Sequence, residues 1–168
     1  MRVRREWLVS FVIVLALLWS PPVCLAAIRG RIVENVGIKT AKLGLYDTTN
    51  KARIGPTYAR VTDKSYAGLT VYKYRFKTLN ASTRKYPVLM YSKSNHHVFN
   101  FTINCTTLVT ARGAHVGTTE VALAGSYGTR LKKSVGPVYT DYWMGTRAGR
   151  TDFFVKSGKV YQIVISRY

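Results

Sequence analysis

Hydrophobic and polar residues alternate along much of the chain, most clearly over residues 70–79, TVYKYRFKTL. A β-strand points successive side chains to opposite faces, so this segment is predicted to be a strand with an aromatic and a cationic face. The aromatic face holds Tyr72, Tyr74 and Phe76. The cationic face holds Val71, Lys73, Arg75 and Lys77. We expect the aromatic face to pack in the core and the cationic face to be solvated, which also discourages aggregation at a sheet edge.

Short runs of this kind, separated by Gly, Pro, Asn, Asp and Ser, continue along the chain, and no long segment repeats apolar residues at helical spacing. This pattern predicts an all-β fold, an antiparallel β-sandwich of Ig-like or transthyretin-like type. Strands are predicted at residues 28–34, 41–47, 57–62, 69–78, 86–91, 97–109, 119–124, 138–143, 151–156 and 159–166.

The clearest structural unit is the C-terminal segment FFVKSGKVYQIVI. Ser157-Gly158 lies between two apolar runs and predicts a two-residue β-hairpin, which places Lys156 opposite Lys159. The final run, VYQIVI, is apolar on both faces, which is typical of a central strand of a sheet.

The first residues form a separate segment, MRVRREWLVSFVIVLALLWSPPVCLAA. Arginines precede a short apolar run, and a proline break and small residues follow it, which is the layout of a secretory signal peptide. The run is shorter than the roughly 20 apolar residues that span a membrane. We therefore predict a signal helix at residues 1–26 and a single secreted, periplasmic or extracellular domain at residues 27–168. An uncleaved N-terminal anchor and a lipid-modified Cys24 are the alternatives.

Net charge is the main clue to function. The chain has 26 basic and 7 acidic side chains, and removal of residues 1–26 changes these counts to 23 and 6, a net charge of +17. An exported chain this basic is expected to adhere to anionic polysaccharide, lipopolysaccharide, nucleic acid or an anionic membrane surface. A charge that serves solubility alone is the alternative. The composition does not indicate an oligomeric state.

The N-terminal half of the predicted domain resembles the transthyretin-like, carboxypeptidase-regulatory-like β-sandwich modules. Those modules open with a strand, a glycine turn and an alternating A-x-L-x-L strand, as in IRGRIVENVGIKTAKLGLYD at residues 28–47. Their T-D-x-x-G-x-Y-x-F element is similar to VTDKSYAGLTVYKYRF, although the spacing from Asp63 to Gly68 differs and Lys39-Thr40 replaces the usual proline. The resemblance covers residues 28–91 and implies a binding or structural module without catalytic residues. The segment YSKSNHH at residues 91–97 is a possible joint with the remainder of the domain.

One cysteine, Cys105, remains after the predicted cleavage, so the domain is expected to have no internal disulfide. Its alternation with Phe99, Phe101 and Ile103 predicts a small buried thiol on the same strand face. No Cys/His cluster has the spacing of metal ligands, so neither a metal nor another cofactor is predicted.

Candidate catalytic groups are few. No two acids are close in sequence, although folding could bring two of them together. No G-x-S-x-G elbow, P-loop or metal-spaced histidine pair occurs. We therefore predict that the protein is not an enzyme and assign no catalytic residue. The alternative is a small secreted basic hydrolase that acts on a polyanion, such as a ribonuclease, with His115 as general base, Glu120 as general acid and arginines that bind the phosphate.

Candidate binding residues combine aromatic and basic side chains, above all in PVYTDYWMGTRAGR at residues 137–150. Aromatic rings stack on sugars or bases, while guanidinium groups bind phosphate, sulfate or carboxylate. A predicted loop at residues 128–136 and the strand at 70–79 add further cations. The predicted ligand-binding residues are Lys73, Arg75, Lys77, Arg130, Lys132, Lys133, Tyr142, Trp143, Arg147 and Arg150. The alternative is that Trp143 anchors the core and the arginines are solvated.

Overall fold

The computed structural model describes residues 30–54, 57–63, 70–76 and 88–168. The predicted signal helix, its cleavage site and Lys77 lie outside these residues. Within the described residues, no helix is both long and apolar enough to cross a membrane.

Strands dominate the described part of the chain. They are β1 (Gly30–Val33), β2 (Gly37–Ile38), β3 (Ala41–Lys42), β4 (Thr57–Asp63), β5 (Val71–Phe76), β6 (Val88–Lys93), β7 (Val98–Ile103), β8 (Leu108–Thr110), β9 (Lys132–Val135), β10 (Thr140–Thr146), β11 (Gly149–Lys156) and β12 (Lys159–Ser166). The two α-helices in the described ranges are α1 (Asp47–Ile54) and α2 (Glu120–Tyr127), and a 3-10 turn follows at Gly128–Arg130.

The strands form two sheets that pack as a β-sandwich, as predicted. The large sheet has the order β4-β5-β6-β7-β12-β11-β10-β9, and each neighbouring pair is antiparallel. The small sheet has the order β3-β2-β1-β8, and its β1–β8 pair is parallel. The antiparallel prediction is therefore confirmed except for this one pair.

A single hydrophobic cluster joins the two sheets. Phe101, Phe153 and Ile163 of the large sheet are fully buried in it, together with Ile32 and Leu108 of the small sheet. Alternation along each strand decides which side chains enter this cluster. We call the side of the large sheet that faces the small sheet its core face, and the opposite side its outer face.

The aromatic face predicted for β5 lies on the core face. Tyr74 and Phe76 are buried in the hydrophobic cluster, and Tyr72 packs against it. This part of the opening prediction is confirmed.

The prediction of a strand at residues 119–124 is wrong, because helix α2 occupies this segment. Thr119 caps the helix, since its hydroxyl accepts a hydrogen bond from the Ala122 N–H at 3.2 Å. Glu120 places a negative charge in the first turn, where the helix dipole favours it. Leu123 and Tyr127, four residues apart, are the buried side chains of the helix. The buried positions of this segment therefore follow the four-residue spacing of a helix and not the alternation of a strand.

The strand predicted at residues 41–47 is only partly right, because β3 ends at Lys42 and helix α1 begins at Asp47. The Asn50 side chain of α1 accepts a hydrogen bond from Lys42 N–H at 3.0 Å and donates one to Lys42 O at 2.8 Å. The Asn50 side chain thus pairs with the backbone N–H and C=O of Lys42 at the edge of β3. A neighbouring strand would otherwise have to satisfy these two groups.

The predicted C-terminal hairpin is confirmed. Ser157 and Gly158 have φ values of 51° and 70°, as a type I′ turn requires, and Lys156 pairs with Lys159. Strand β12 lies between β7 and β11, so the predicted central strand is also confirmed.

The strand predicted at residues 97–109 is divided between the two sheets as β7 and β8. Cys105 lies between these strands, where it is partly buried against the core. Phe101 and Ile103 are buried on the core face, but Phe99 is not among the core residues, so the predicted common face holds only in part.

Two segments predicted as irregular contain strands. Residues 132–135 of the predicted loop form β9, the edge strand beside β10. Residues 91–93 of the possible joint belong to β6, and 94–97 form the turn that connects it to its antiparallel neighbour β7.

Candidate functional site

The register of the large sheet defines which side chains share its outer face, because residues directly opposite on paired strands point to the same side. One row across the sheet consists of Gly145, Arg150, Ser166, Asn100, Tyr91 and Lys73. The next row consists of Lys132, Trp143, Asp152, Val164, Thr102, Leu89 and Arg75. Strands β5 and β10 are five strand spacings apart, about 24 Å, so cations lie at two distant parts of this face.

Trp143 lies beside two cations at the β10 end of the outer face. The guanidinium carbon of Arg150 is 4.2 Å from the centroid of the Trp143 ring, and Lys132 Nζ is 4.7 Å from it. Both contacts fall within the range of cation–π attraction. Trp143 is half-buried and lies outside the core cluster, so the alternative that it anchors the core is wrong.

Arg150 also binds two carboxylates. Its Nε donates to Asp152 Oδ1 at 2.6 Å, and its Nη2 lies 2.5 Å from the same oxygen and 2.9 Å from Asp141 Oδ2. The Asp141 and Asp152 side chains are 15% and 4% exposed. The positive charge of Arg150 is therefore compensated within the protein, and we expect it to attract an external anion less than a solvated arginine would.

Asp152, which is buried, and Asp141, which is half-buried, form a close pair of acids. Burial raises the pKa of Asp141 to about 6, with the negative charge of Asp152 acting in the same direction and Arg150 opposing it. Burial also raises the pKa of Asp152. Asp141 Oδ1 and Asp152 Oδ2 are buried without a hydrogen-bond partner. Two adjacent carboxyl groups of this kind favour holding one proton between them.

A second aromatic and cationic group lies nearer the β5 end of the outer face. Lys73 Nζ is 5.4 Å from the centroid of the Tyr91 ring, and Lys93 Nζ is 5.9 Å from that of Phe99. The Tyr91 and Phe99 rings are 6.4 Å apart. Phe99 reaches this face because the register between β6 and β7 shifts after Tyr91. We call Lys73, Tyr91, Lys93 and Phe99 the Tyr91 group.

The cationic face predicted for β5 is less solvated than expected. Lys73 and Arg75 are half-buried, and Val71 on the same face is fully buried. The expectation that this face is simply solvated is therefore wrong for Val71 and only partly right for its neighbours.

Four of the predicted binding residues lie away from the outer face. Lys133 and Tyr142 belong to the opposite side of β9 and β10, where the Tyr142 hydroxyl donates to Glu120 Oε1 and Lys133 Nζ lies 3.3 Å from the same oxygen. Arg130 lies in the 3-10 turn and Arg147 in the β10–β11 turn, both exposed. The structure brings Lys132, Trp143 and Arg150 into contact on the outer face. It also brings Lys133 and Tyr142 into contact on the core face, where Lys133 Nζ lies 5.1 Å from the centroid of the Tyr142 ring.

His115 and Glu120, the base and acid of the hydrolase alternative, contact different partners. His115 Nδ1 lies 3.0 Å from Gly113 O and 3.2 Å from Thr118 Oγ1. Glu120 is bound by Tyr142 and Lys133, and the hydrogen bond from Tyr142 is the main cause that lowers its pKa. These contacts give each of the two residues a local structural role.

Asp47 and His96 form an acid–histidine contact that sequence analysis did not anticipate. Asp47 Oδ2 accepts hydrogen bonds from the Tyr74 hydroxyl and from Ser92 Oγ at 3.1 Å, and it lies 2.9 Å from His96 Nδ1. Burial alone would raise the pKa of Asp47, but these hydrogen bonds lower it on balance. The His96 ring stacks on Tyr72 at 5.3 Å. The network fastens α1 to the β6–β7 turn.

A cavity of about 410 Å³ opens beside the Tyr91 group. Its lining residues come from the segment after β3, the β6–β7 hairpin and the segment after β12. They are Gly44, Lys93, Asn95, His97, Val98, Phe99, Arg167 and Tyr168. Sequence analysis missed this cavity, because its residues are distant along the chain. In the described part of the protein, no three His, Cys, Asp or Glu side chains lie close enough to hold a metal ion.

Comparisons with known proteins leave the function open. No protein-family profile matches the chain, and no curated protein matches it. Among solved structures, the uncharacterized protein yfeY from Escherichia coli is similar, with 13% sequence identity and a TM-score of 0.49, over 83% of this chain and 99% of that one. A likeness of this degree supports no conclusion about function.

Proposed function

We propose that the protein is an exported, non-catalytic module that binds anionic polymers along the outer face of its large sheet. The observation that carries the proposal is the repeated contact between cations and aromatic rings on this face. Among the described residues, these contacts include Lys73 with Tyr91, Lys93 with Phe99 and Lys132 with Trp143, all within 6 Å. Arg150 also contacts Trp143, but Asp141 and Asp152 compensate its charge, so the lysines carry the proposal.

Rings and cations on one face suit a flexible polyanion for two separate reasons. An aromatic ring offers a flat surface on which a base or a sugar stacks without requiring a particular sequence. A lysine or arginine beside it neutralises a phosphate, sulfate or carboxylate and releases counterions from the polymer. The distance of about 24 Å between β5 and β10 favours a polymer over a small molecule, since one small anion cannot reach both ends.

The net charge of +17 on residues 27–168 supports the same proposal, because a surplus of this size attracts polyanions from a distance. With export, the available polymers would be acidic polysaccharide, lipopolysaccharide and extracellular nucleic acid, and an anionic membrane surface offers related chemistry. Mass spectrometry of the secreted protein should give an N-terminus at Ala27 or Ile28. Recovery of full-length chain alone would contradict the proposed export.

Binding to single-stranded DNA and to heparin, measured by fluorescence anisotropy at several salt concentrations, tests the proposal. We expect the affinity to fall steeply as salt rises. The triple variant Lys73→Gln, Arg75→Gln, Lys93→Gln should reduce the slope of log affinity against log salt on DNA by up to about 2, near 0.7 per phosphate contact. Trp143→Ala should weaken DNA binding by about 1–3 kcal/mol if one base stacks on the ring.

The matched control is Arg130→Gln, Lys156→Gln, Lys159→Gln, which removes three exposed charges outside the central outer face. If this control reduces the salt slope as much as the outer-face variant, total charge explains the binding and the proposed surface is wrong. Absence of binding even at low salt would leave the charge with a role in solubility alone.

A second candidate function, hydrolysis of a polyanion, is favoured by the contact between Asp141 and Asp152. A carboxyl group with a raised pKa beside an ionised one is the arrangement with which hydrolases combine acid and base catalysis. The pair lies on the same sheet face as Trp143, where a sugar or base would stack. Purified protein should be incubated with RNA and with acidic glycans. Product formation that Asp141→Asn and Asp152→Asn both abolish would establish this function in place of a purely binding one.

A further inference from the structure

The cavity beside the Tyr91 group has a lining that suits an anionic ligand. Lys93 and Arg167 supply two positive charges, and the described lining residues include no carboxylate side chain. His97 adds a polar ring whose orientation is fixed, because its Nδ1 lies 2.7 Å from Gly44 O and must donate its proton to that carbonyl. The remaining ring nitrogen, Nε2, then accepts a hydrogen bond when the ring is neutral and donates one when it is protonated.

Gly44 makes room for the guanidinium group of Arg167. A Cβ atom at position 44 would lie less than 3.0 Å from Arg167 Nη1, and the φ of 82° at Gly44 also favours glycine. The backbone on both sides is tied down, since Gly44 N–H donates to Val98 O at 2.7 Å and Arg167 N–H donates to Phe99 O at 2.9 Å. The backbone on both sides of this contact is therefore fixed, and the Arg167 guanidinium lies beside Gly44 at the cavity wall.

Phe99 gives the cavity an apolar surface beside these charges. Its ring lies 5.9 Å from Lys93 Nζ, so a cation and an aromatic face are presented next to one another. The volume of about 410 Å³ lies within the range of small-molecule pockets and exceeds what a bare inorganic anion needs. A ligand that fills it would carry one ring in addition to its charged group.

We propose that this cavity binds a phosphomonoester attached to a single ring, that is, a sugar phosphate or a nucleoside monophosphate. The two cations, Lys93 and Arg167, match the double negative charge of a phosphomonoester better than the single charge of a carboxylate. Arg167 would bind the phosphate oxygens through its planar group of donors, Lys93 would supply the second charge, and the ring of the ligand would contact Phe99. The inference deepens the proposed function, since the cavity adjoins the outer face and would receive a phosphorylated terminus of a bound polymer.

The test uses the full-length protein and glucose 6-phosphate, with binding followed by isothermal titration calorimetry at physiological salt. A second titration uses adenosine monophosphate in place of glucose 6-phosphate. The comparison shows whether the cavity prefers a sugar phosphate or a nucleoside monophosphate. Glucuronic acid and glucose are the controls for charge and for the ring alone. We expect a phosphomonoester to bind, glucuronic acid to bind more weakly and glucose not to bind. Arg167→Gln and Lys93→Gln should each weaken binding roughly tenfold, as the loss of one charged hydrogen bond implies.

Matched variants separate this inference from the proposed polymer surface. Lys156→Gln removes an equal charge at the hairpin tip, and Trp143→Ala removes the ring at the other end of the outer face, so neither should change phosphomonoester binding. Gly44→Ala keeps every charge but displaces Arg167, and it should weaken binding as Arg167→Gln does. Circular dichroism of each variant verifies that it is folded, and Lys93→Gln provides the test if Arg167→Gln does not fold.

Three results would overturn the inference. They are no binding of either phosphomonoester at millimolar concentration, equal binding of glucose, and binding that survives both Arg167→Gln and Lys93→Gln. Polymer binding that persists while phosphomonoesters do not bind would reject the cavity site and leave the outer-face proposal intact. Phosphomonoester binding without polymer binding would support the cavity and reject the outer face.

Discussion

The buried acid pair predicts an unusual dependence of stability on pH. In the folded protein the pKa of Asp141 is raised to about 6 from an ordinary value of 3.8, with burial as the largest cause. A raised folded-state pKa means that the folded protein binds this proton more tightly than the unfolded chain does. The resulting stabilisation is fully present below pH 3.8 and is lost as the pH rises to about 6.

The magnitude follows from the size of the shift. One pKa unit corresponds to about 1.36 kcal/mol, so the ionised pair costs on the order of 3 kcal/mol at pH 7. Asp141→Asn removes this cost, and its amide group donates a hydrogen bond to Asp152 while its oxygen still accepts from Arg150. The variant should therefore be more stable than the wild type at pH 7–8, by up to about 3 kcal/mol, and should match it below the unfolded pKa.

Urea unfolding at 25 °C, from pH 3.5 to pH 8, measures this difference directly. Glu120→Gln is the control with the opposite sign, because the Tyr142 and Lys133 hydrogen bonds lower the pKa of Glu120. Loss of the Glu120 carboxylate should destabilise the protein at neutral pH, and it should have no effect in acid, where this group is protonated in both states. If Asp141→Asn is less stable than the wild type at pH 7, Arg150 outweighs burial and the proposed proton sharing is wrong.

Three further substitutions test the packing around the site. Gly149→Ala should destabilise the protein by several kcal/mol in urea unfolding, because a Cβ there would lie less than 3.0 Å from the backbone oxygen of Asn35. Gly125→Ala is the contrasting case, since the helix α2 position has open space around it, and it should stabilise by about 0.5–1 kcal/mol. Tyr74→Phe removes a buried hydrogen bond to the Asp47 carboxylate and should cost about 1.5–3 kcal/mol at neutral pH. Its unfolding midpoint in acid should move closer to that of the wild type, because a group with a lowered pKa loses its stabilising effect as the pH falls.

The strands were predictable where the pattern is local. Alternation with a period of two identified β5 and β12, and the Ser157-Gly158 turn identified the last hairpin, because these signals need no information from distant residues. Helix α2 was missed although Thr119 and Glu120 form a helix start, since the apolar residues that follow also suit a short strand. Helix α1 depends on the contact between Asn50 and Lys42, which no local pattern reveals.

The contact between Asp141 and Asp152 could not be predicted from the sequence. Asp141 and Asp152 are distant in sequence, and they meet because a two-residue turn at Arg147-Ala148 sets the register of β10 against β11. With that register, Trp143 lies directly opposite Asp152, and Arg150 comes within reach of both acids. The cavity is harder still to predict, since Gly44 and Arg167 are brought together by tertiary folding alone.

The register also divides residues that look like one cluster in the sequence. Lys132 and Lys133 are adjacent, as are Tyr142 and Trp143, but a strand sends adjacent side chains to opposite faces. Lys132 and Trp143 therefore meet on the outer face, while Lys133 and Tyr142 meet on the other side and bind Glu120 of helix α2. Loss of the Lys133 charge should thus weaken the contact between the sheet and α2, whereas loss of the Lys132 charge should weaken the proposed binding of an anionic polymer. The strength of a basic site on a sheet depends on which face each cation occupies, so counting cations along the sequence overstates it.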